Sequence, residues 1–494
     1  MIPTDPTHAA GSVPDAASAT TVPTTRTDAA TEAEPGPAFD TLALPPAFVA
    51  TLTRLGYLRT TPIQAAALPA ALAGHDVLAQ ARTGSGKTAA FALPLLARLD
   101  PARFAVQALV LCPTRELADQ VAQETRRLAQ AIDNLKVLTL CGGTPVRPQL
   151  ASLAHGAHVV VGTPGRILDH LQRGSLALDA LATLVLDEAD RMLDMGFAED
   201  IAAVVAACPA ARQTLLFSAT FPEPIVELGR RLLCTPHEIR LHTPHEAGRI
   251  RQRFYEVTED GRFNAVARLL AHFRPESTLA FCNTRQQCRG LVDVLRAHGI
   301  AALALHGELD QRERDQVLVR FANRSCAVLV ATDVAARGLD IAELEAVINV
   351  YVTPEPEVHI HRIGRTGRAG RDGWALSLAS AAERNRVANI AQRLGAEVEW
   401  QALDDLAPAA DAPLQAPMAT LLILSGRKDK LRAGDVLGAL TGDAGLHRDQ
   451  VGRITVTDTS TYVAVRREHA RDALKRLGAG RIKGRRVRVH LLDD

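Results

Sequence analysis

The stretch Ala81-Arg82-Thr83-Gly84-Ser85-Gly86-Lys87-Thr88 constrains this chain more than any other. A short apolar run, residues 76–79, leads into it, and a helix-compatible run, residues 89–99, leads out. The order is therefore strand, glycine-bearing loop, helix, the context of a phosphate-binding loop. Glycines let backbone N–H groups turn inward, and the positive end of the following helix favours an anion. Thr83, Gly84, Ser85 and Gly86 would wrap the phosphates of a nucleotide, Lys87 would reach the outer ones, and Thr88 would face a Mg2+ ion. The general motif carries a glycine where this chain has Ala81.

Downstream, short apolar runs alternate with helical patterns: residues 106–112, 136–141, 158–161, 183–186 and 213–217. Such alternation predicts a parallel sheet flanked by helices, with ligands at the carboxyl ends of the strands. The run 183–186 ends directly in Asp187-Glu188-Ala189-Asp190. A strand that delivers two carboxylates to the ligand edge is a Walker B arrangement, in which Asp187 would hold the metal and Glu188 would activate the attacking water. Upstream of the loop stand Gly56, Tyr57 and Gln64, with Phe39 seventeen residues before Gly56. A glutamine amide can donate to and accept from the N6/N7 edge of adenine while an aromatic ring covers the base, so Phe39, Tyr57 and Gln64 are candidates for selecting ATP.

A chain of 494 residues with 47% apolar content is long enough for about three domains. Its net charge of +1 is unevenly spread. Residues 418–494 carry 16 Lys and Arg against 9 Asp and Glu, a net of +7, so the remainder is −6. A basic terminal module points to a polyanionic partner. Seven cysteines without a C-x-x-C pair fit reduced thiols in a cytosolic protein. No apolar run approaches the ~18 residues of a membrane span, and the start lacks the features of a signal peptide. Residues 1–37, rich in Ala, Thr, Pro and Asp, are expected to be a disordered tail.

The motifs appear in an order that resembles the DEAD-box ATP-dependent RNA helicases. After Asp187-Glu188-Ala189-Asp190 as the namesake, the shared stretches are 113–118, Gly142-Gly143, 163–166 (Thr163 to Arg166), Ser218-Ala219-Thr220, His306-Gly307 with Gln311 and Arg314, 331–340 and 361–368. Ala81 is also what this family uses. The resemblance implies two tandem RecA-like α/β domains, residues 38–242 and 243–400, sharing one ATP and Mg2+ site. Lys87, Asp187, Glu188, Arg365 and Arg368 match catalytic positions, the two arginines as fingers that neutralise a transferring phosphate. Gly338 and Asp340 match nucleotide contacts, and Ser218, Thr220 and His361 match the element coupling ATP state to domain closure. Arg115, Gly142, Gly143, Thr163, Arg166, Arg314 and Thr332 match RNA contacts. Closure of the two halves over RNA would bend one strand and separate a short duplex locally, without translocation.

The second alternating series, residues 278–282, 300–306, 326–332, 346–352 and 374–379, predicts the second sheet. Residues 401–417 read as a linker, and 418–494 follow a βαββαβ order, that of an RNA-recognition-motif fold. The strand positions that stack bases in such folds are nearly empty of aromatics, with Tyr462 alone in 461–465 and none in 421–424. Positive charge lies elsewhere, including Lys430, Arg432 and Lys483. The segments 432–440 and 480–484 resemble the bacterial DbpA subfamily. That resemblance implies a monomeric cytoplasmic helicase acting in large-subunit ribosome assembly, its terminal module docked on a ribosomal RNA hairpin. A general RNA chaperone helicase, or an ATP-gated RNA clamp without ribosomal specificity, is the competing reading.

Overall fold

The computed structural model describes residues 26–29, 36–81, 84–241, 250–336, 344–367, 372–406, 414–442 and 444–492. The chain forms two compact units that divide between His242 and Thr243.

The first unit is built on eight strands: β1 (Arg26–Ala29), β2 (Val77–Gln80), β3 (Ala108–Leu111), β4 (Val137–Leu140), β5 (Val159–Gly162), β6 (Thr183–Leu186), β7 (Gln213–Ser218) and β8 (His237–Leu241). They pair in the order β1-β8-β2-β7-β6-β3-β5-β4, every pair parallel. The strands read as unbroken apolar runs because helices cover both faces. Their alternation still sorts residues between two cores. Val77, Ala79, Val110 and Val185 pack on one side, and Leu78, Leu109, Leu184 and Leu186 on the other. Because β2, β7, β6 and β3 are neighbours, the loop at 81–88, Ser218-Ala219-Thr220, Asp187-Glu188 and the start of helix Arg115–Leu128 leave the same edge of the sheet.

The second unit opens with β9 (Ile250–Glu256), β10 (Thr278–Cys282), β11 (Ala302–Leu305), β12 (Val328–Thr332), β13 (Ala346–Asn349), β14 (Gly373–Ala379) and β15 (Trp400–Gln401). Their order is β11-β12-β10-β13-β14-β9-β15, again parallel. A smaller sheet follows: β16 (Met418–Ile423), β17 (Val451–Val456), β18 (Thr461–Arg466) and β19 (Val489–Leu492), antiparallel in the order β17-β18-β16-β19. Helices Ala433–Thr441 and Ala470–Ala479 cover the face made by Leu421, Ile423, Val463 and Val465.

The other face of this small sheet, where an RNA-recognition motif ordinarily stacks bases, is closed by the second parallel domain. Thr420 Oγ1 accepts from Asn323 Nδ2 at 3.1 Å and lies 2.6 Å from Ser325 Oγ, all three residues buried. Met418 N donates to the carbonyl of Arg324 at 3.3 Å, and Tyr462 is hydrogen-bonded to Gln316. A covered face needs small polar and apolar residues that fit a neighbour, which accounts for the missing aromatics.

Two sequence expectations change. Residues 26–29, inside the expected disordered tail, form β1 on the edge of the first sheet, since an open edge satisfies extended backbone without demanding an apolar side chain. The expected linker 401–417 is largely packed. Gln401 belongs to β15, Arg268 Nη2 donates to Leu403 O at 2.7 Å, and Leu414 and Ala416 are buried. Its apolar residues complete the second core, and only 407–413 lie outside the described residues.

Thr420→Val replaces a shared hydroxyl by a methyl group and leaves buried polar groups of Asn323 and Ser325 facing carbon. In urea titrations it should lower stability by about 1–3 kcal/mol, and adding Ser325→Ala should return part of the loss.

Candidate functional site

At the carboxyl end of β2 the loop places Gly84 and Gly86 at φ +86° and +94°, backbone that L side chains rarely adopt. Gly86 caps helix Lys87–Ala97. A Cβ there would stand 2.5 Å from Gln64 Nε2. Lys87 is 5% exposed and Asp187 2%, with Nζ and Oδ1 3.7 Å apart. Among the described residues neither of these two atoms has a hydrogen-bond partner. Buried polar groups are normally satisfied, so an ammonium and a carboxylate left open beneath inward-facing amides fit a ligand carrying both phosphate oxygens and a cation. Burial pushes the Asp187 carboxyl up to about 6; the Lys87 charge pulls it down and Glu188 adds to the rise. Thr88 follows Lys87 on the same helix, half-buried, and Ser85 is half-buried in the loop. Thr83 lies outside the described residues.

The glutamine is spoken for on both ends. Gln64 Oε1 accepts from Thr61 N at 2.9 Å, closing a capping box at the start of helix Pro62–Leu72, and Nε2 donates to Gly86 O at 3.0 Å. Gln64 thus ties its helix to the loop. Phe39 is 2% exposed and meets Tyr57 edge-on, ring centroids 6.1 Å apart. Tyr57 donates its hydroxyl to Glu124 at 2.5 Å, and burial with that bond pushes its pKa up to about 12. Both rings brace the entry to the domain.

Glu188 turns the chain from β6 into helix Ala189–Asp194 with φ 52° and ψ 52°, a left-handed backbone that is uncommon outside glycine. Its carboxylate accepts from Arg191 Nη1 at 2.7 Å, the pair almost fully buried. Asp190 grips the neighbouring strand end. Its Oδ2 accepts from Thr220 N at 3.0 Å and Thr220 Oγ1 at 2.9 Å, while Asp190 N donates to Ser218 Oγ at 3.3 Å. Ser218 Oγ in turn donates to Thr220 O at 2.8 Å. Ser218 and Thr220 are thus hydrogen-bonded to Asp190, on the helix whose Arg191 pairs with Glu188.

On the far side of β3 five further candidates converge. Arg115 opens helix Arg115–Leu128, capped by Thr114, and its Nη1 is 2.7 Å from where a Cβ on Gly143 (φ +72°) would sit. Arg115 Nε is buried and, among the described residues, has no hydrogen-bond partner. Gly142 N donates to Thr163 Oγ1 at 3.5 Å. Arg166 donates to Thr144 O at 3.2 Å and Gln149 Oε1 at 3.0 Å, which holds the glycine-bearing turn against helix Pro164–Gln172.

In the second unit Arg314 Nη2 donates to Ala335 O at 2.8 Å, and Thr332 Oγ1 accepts from Ala335 N at 3.4 Å, so both meet the turn after β12. His361 is half-buried on helix Pro356–Ile363, and Arg365 follows it, 5% exposed. Gly338, Asp340 and Arg368 lie outside the described residues. Sequence reasoning passed over Arg362, which is 2% exposed. It donates to both carboxylate oxygens of Asp333 at 2.7 and 2.6 Å and to Tyr351 O at 2.8 Å. Its only signal was a place between Ile360 and Ile363 on one helix.

In the terminal module Lys430, Arg432 and Lys483 share one corner. Lys430 and Lys483 adopt φ 61° and 53°, and Lys483 Nζ donates to Lys430 O at 2.9 Å and to Asp435 Oδ2 at 3.4 Å. Lys483 is therefore a strut between two loops, and all three cations are exposed.

Arg191→Met strands the Glu188 carboxylate in a buried position. Removing one partner of a buried ion pair costs about 3–5 kcal/mol, and chemical denaturation of the first unit should register a loss of that size.

The sequence profile of the DEAD/DEAH box helicase family matches residues 61–228, that of the helicase conserved C-terminal domain 261–370, and that of the DbpA RNA binding domain 420–491. Among solved structures the chain is similar to Saccharomyces cerevisiae Dbp5 bound to RNA and ADP BeF3, at 31% identity and a TM-score of 0.68 over 74% of this chain and 96% of that one. CshA of Geobacillus kaustophilus is 43% identical over 71% of this chain and 75% of its own length. ATP-dependent RNA helicase DbpA of Escherichia coli (strain K12) is 54% identical over 92% of this chain and 99% of its own length. With its nucleotide edge and its matched domains in this order, the chain belongs to the DEAD-box ATP-dependent RNA helicases, in their DbpA subfamily.

Proposed function

We propose that this helicase separates short RNA duplexes locally and non-processively during assembly of the large ribosomal subunit, as a cytoplasmic monomer whose terminal module docks on a large-subunit ribosomal RNA hairpin. The observation that carries the reading is the pairing of an ATPase edge with a basic corner that is free of stacking aromatics, within a domain matching the DbpA RNA-binding profile. Lys87 contacts the outer phosphates, and the backbone of Thr83 to Gly86 cradles them. Thr88 and Asp187 hold Mg2+, which supplies charge neutralisation on the triphosphate; the unsatisfied Asp187 Oδ1 supports this assignment. Gly338 and Asp340 meet the nucleoside, while Gln64 holds the loop through Gly86 O, with Phe39 and Tyr57 bracing that side of the site.

Glu188 orients a water whose oxygen attacks the γ-phosphorus, and its carboxylate takes the proton as the bond to the ADP oxygen breaks. Arg365 and Arg368 spread the developing charge once bound RNA favours the closed state. Ser218, Thr220 and His361 relay that state. Arg115, Gly142, Gly143, Thr163, Arg166, Arg314 and Thr332 contact the sugar–phosphate backbone, a set suited to position rather than to sequence. Lys430 and Arg432 bind the hairpin, with Lys483 holding their loops.

A carboxyl near 6 must lose its proton before it can hold a cation. Mg–ATP affinity should thus be constant at neutral pH and fall about tenfold per pH unit below about 6, and Asp187→Asn should flatten the profile. Removing the terminal module would uncover the face around Thr420, so the specificity test keeps the full chain. Steady-state ATP hydrolysis is compared with large-subunit ribosomal RNA and an equal mass of unrelated RNA. The intact chain should prefer ribosomal RNA, and Lys430→Glu with Arg432→Glu should abolish the preference while sparing RNA-independent turnover. Equal stimulation by both RNAs in the intact chain would favour a general RNA chaperone or clamp.

A further inference from the structure

Where the terminal module packs on the second parallel domain, a cleft of about 660 Å³ stays open. Arg296 and Ile300, at the end of helix Arg285–Ala297 and the approach to β11, form one wall. Gln415, Arg467, Glu468 and Arg471, from the approach to β16 and the turn after β18, form the other. The cleft belongs to neither the nucleotide edge nor the basic corner at Lys430.

Its charge is arranged for an anion. Arg467 donates to Ala416 O at 2.7 Å and to Ser325 O and Met418 O at 3.2 Å each. These carbonyl partners fix the Arg467 guanidinium in place. Arg296 and Arg471 are exposed, and among the described residues neither has a carboxylate partner. The acid on the wall is Glu468, whose Oε1 lies 3.5 Å from His469 Nε2. Without counting Arg467, the two exposed guanidiniums of Arg296 and Arg471 outnumber the one carboxylate, so the wall is net positive. No aromatic ring lines the cleft, so it offers nothing on which a base could stack. Its chemistry suits a sugar–phosphate backbone, recognised by charge and without sequence.

Its position extends the basic corner. The cleft opens beside Met418, where β16 begins, and the loops bearing Lys430, Arg432 and Lys483 follow Ile423, where β16 ends. Six residues of strand span about 20 Å. We infer that the cleft is a second, sequence-independent anchor for the phosphodiester backbone of an RNA strand whose neighbouring part is held at the basic corner. The inference rests on the reading that this corner binds RNA. It makes the terminal module a two-point clamp that fixes the direction in which RNA leaves the hairpin.

The test measures the affinity of the full chain for fluorescent oligouridylates by anisotropy across a salt series, using a short strand that reaches one anchor and a long strand that spans both. Arg296→Ala with Arg471→Ala removes two exposed charges and spares Arg467, which the packing needs. For the long strand the slope of log affinity against log salt should fall by about 1.4, at about 0.7 for each phosphate of a single strand that the protein no longer neutralises, with no change for the short one. Lys430→Glu with Arg432→Glu should lower affinity for both strands. If that variant binds both as the intact chain does, the RNA-binding reading of the corner fails first. If it weakens both but the arginine variant leaves the long strand unchanged, or weakens both strands equally, the second anchor is overturned. Competition by adenosine monophosphate against the long strand in the intact chain but not in the arginine variant would assign the cleft to a mononucleotide and overturn the inference too.

Discussion

Two opposite charges 3.7 Å apart, Lys87 and Asp187, stand almost without water and without a hydrogen bond on the facing atoms. Desolvating such a pair costs several kcal/mol per ion, and their mutual attraction repays this only in part when hydrogen bonds are missing. The fold tolerates the arrangement because the pair hangs from two strand ends with Ser218 on the strand between them. The rest of the edge is built around this deficit: glycines that expose amides, a helix start that favours anions, and Gln64 that ties the loop to its own helix.

The same edge shows how a local change can reach a distant element. Asp190 is held by Thr220 and Ser218, Arg191 by its place on the next turn, and Glu188 by Arg191. Asp190 and Arg191 thus connect the end of β7 to the Glu188 carboxylate, which stands on a left-handed backbone. In the second unit the equivalent rigidity comes from buried arginines. Arg262 donates to Glu383 at 2.7 Å and to Val350 O at 2.9 Å, and Arg362 clamps Asp333. Guanidinium serves there because its planar fork satisfies carboxylate and carbonyl partners together.

The terminal module illustrates a trade between two surfaces. A four-stranded sheet with helices on one face normally leaves the other for RNA. Here Thr420, Met418 and Tyr462 commit that face to Asn323, Arg324 and Gln316. The module's positive charge lies instead in the loops and at the strand ends, as at Lys430, Arg432 and Lys483.

By itself the sequence determined the class of fold and the chemistry of the nucleotide edge. The phosphate loop, the strand ending at Asp187 and the ordered motifs are local patterns, and local patterns are legible wherever a strand must end in a given side chain. It also determined that the terminal module is basic and poor in stacking aromatics. Only the tertiary structure decided which cations are built into the packing. Arg362 is one arginine of a cationic stretch, yet it is buried and clamps Asp333, and Lys483, though exposed, is tied to Lys430 O and Asp435. It decided too that residues 26–29 join a sheet edge, that most of 401–417 completes a core, and that Gln64 reaches Gly86. Each of these depends on partners well beyond the local stretch, from 22 residues away for Gln64 and Gly86 to more than 200 for β1 and β8, and no pattern of neighbouring residues encodes such a contact.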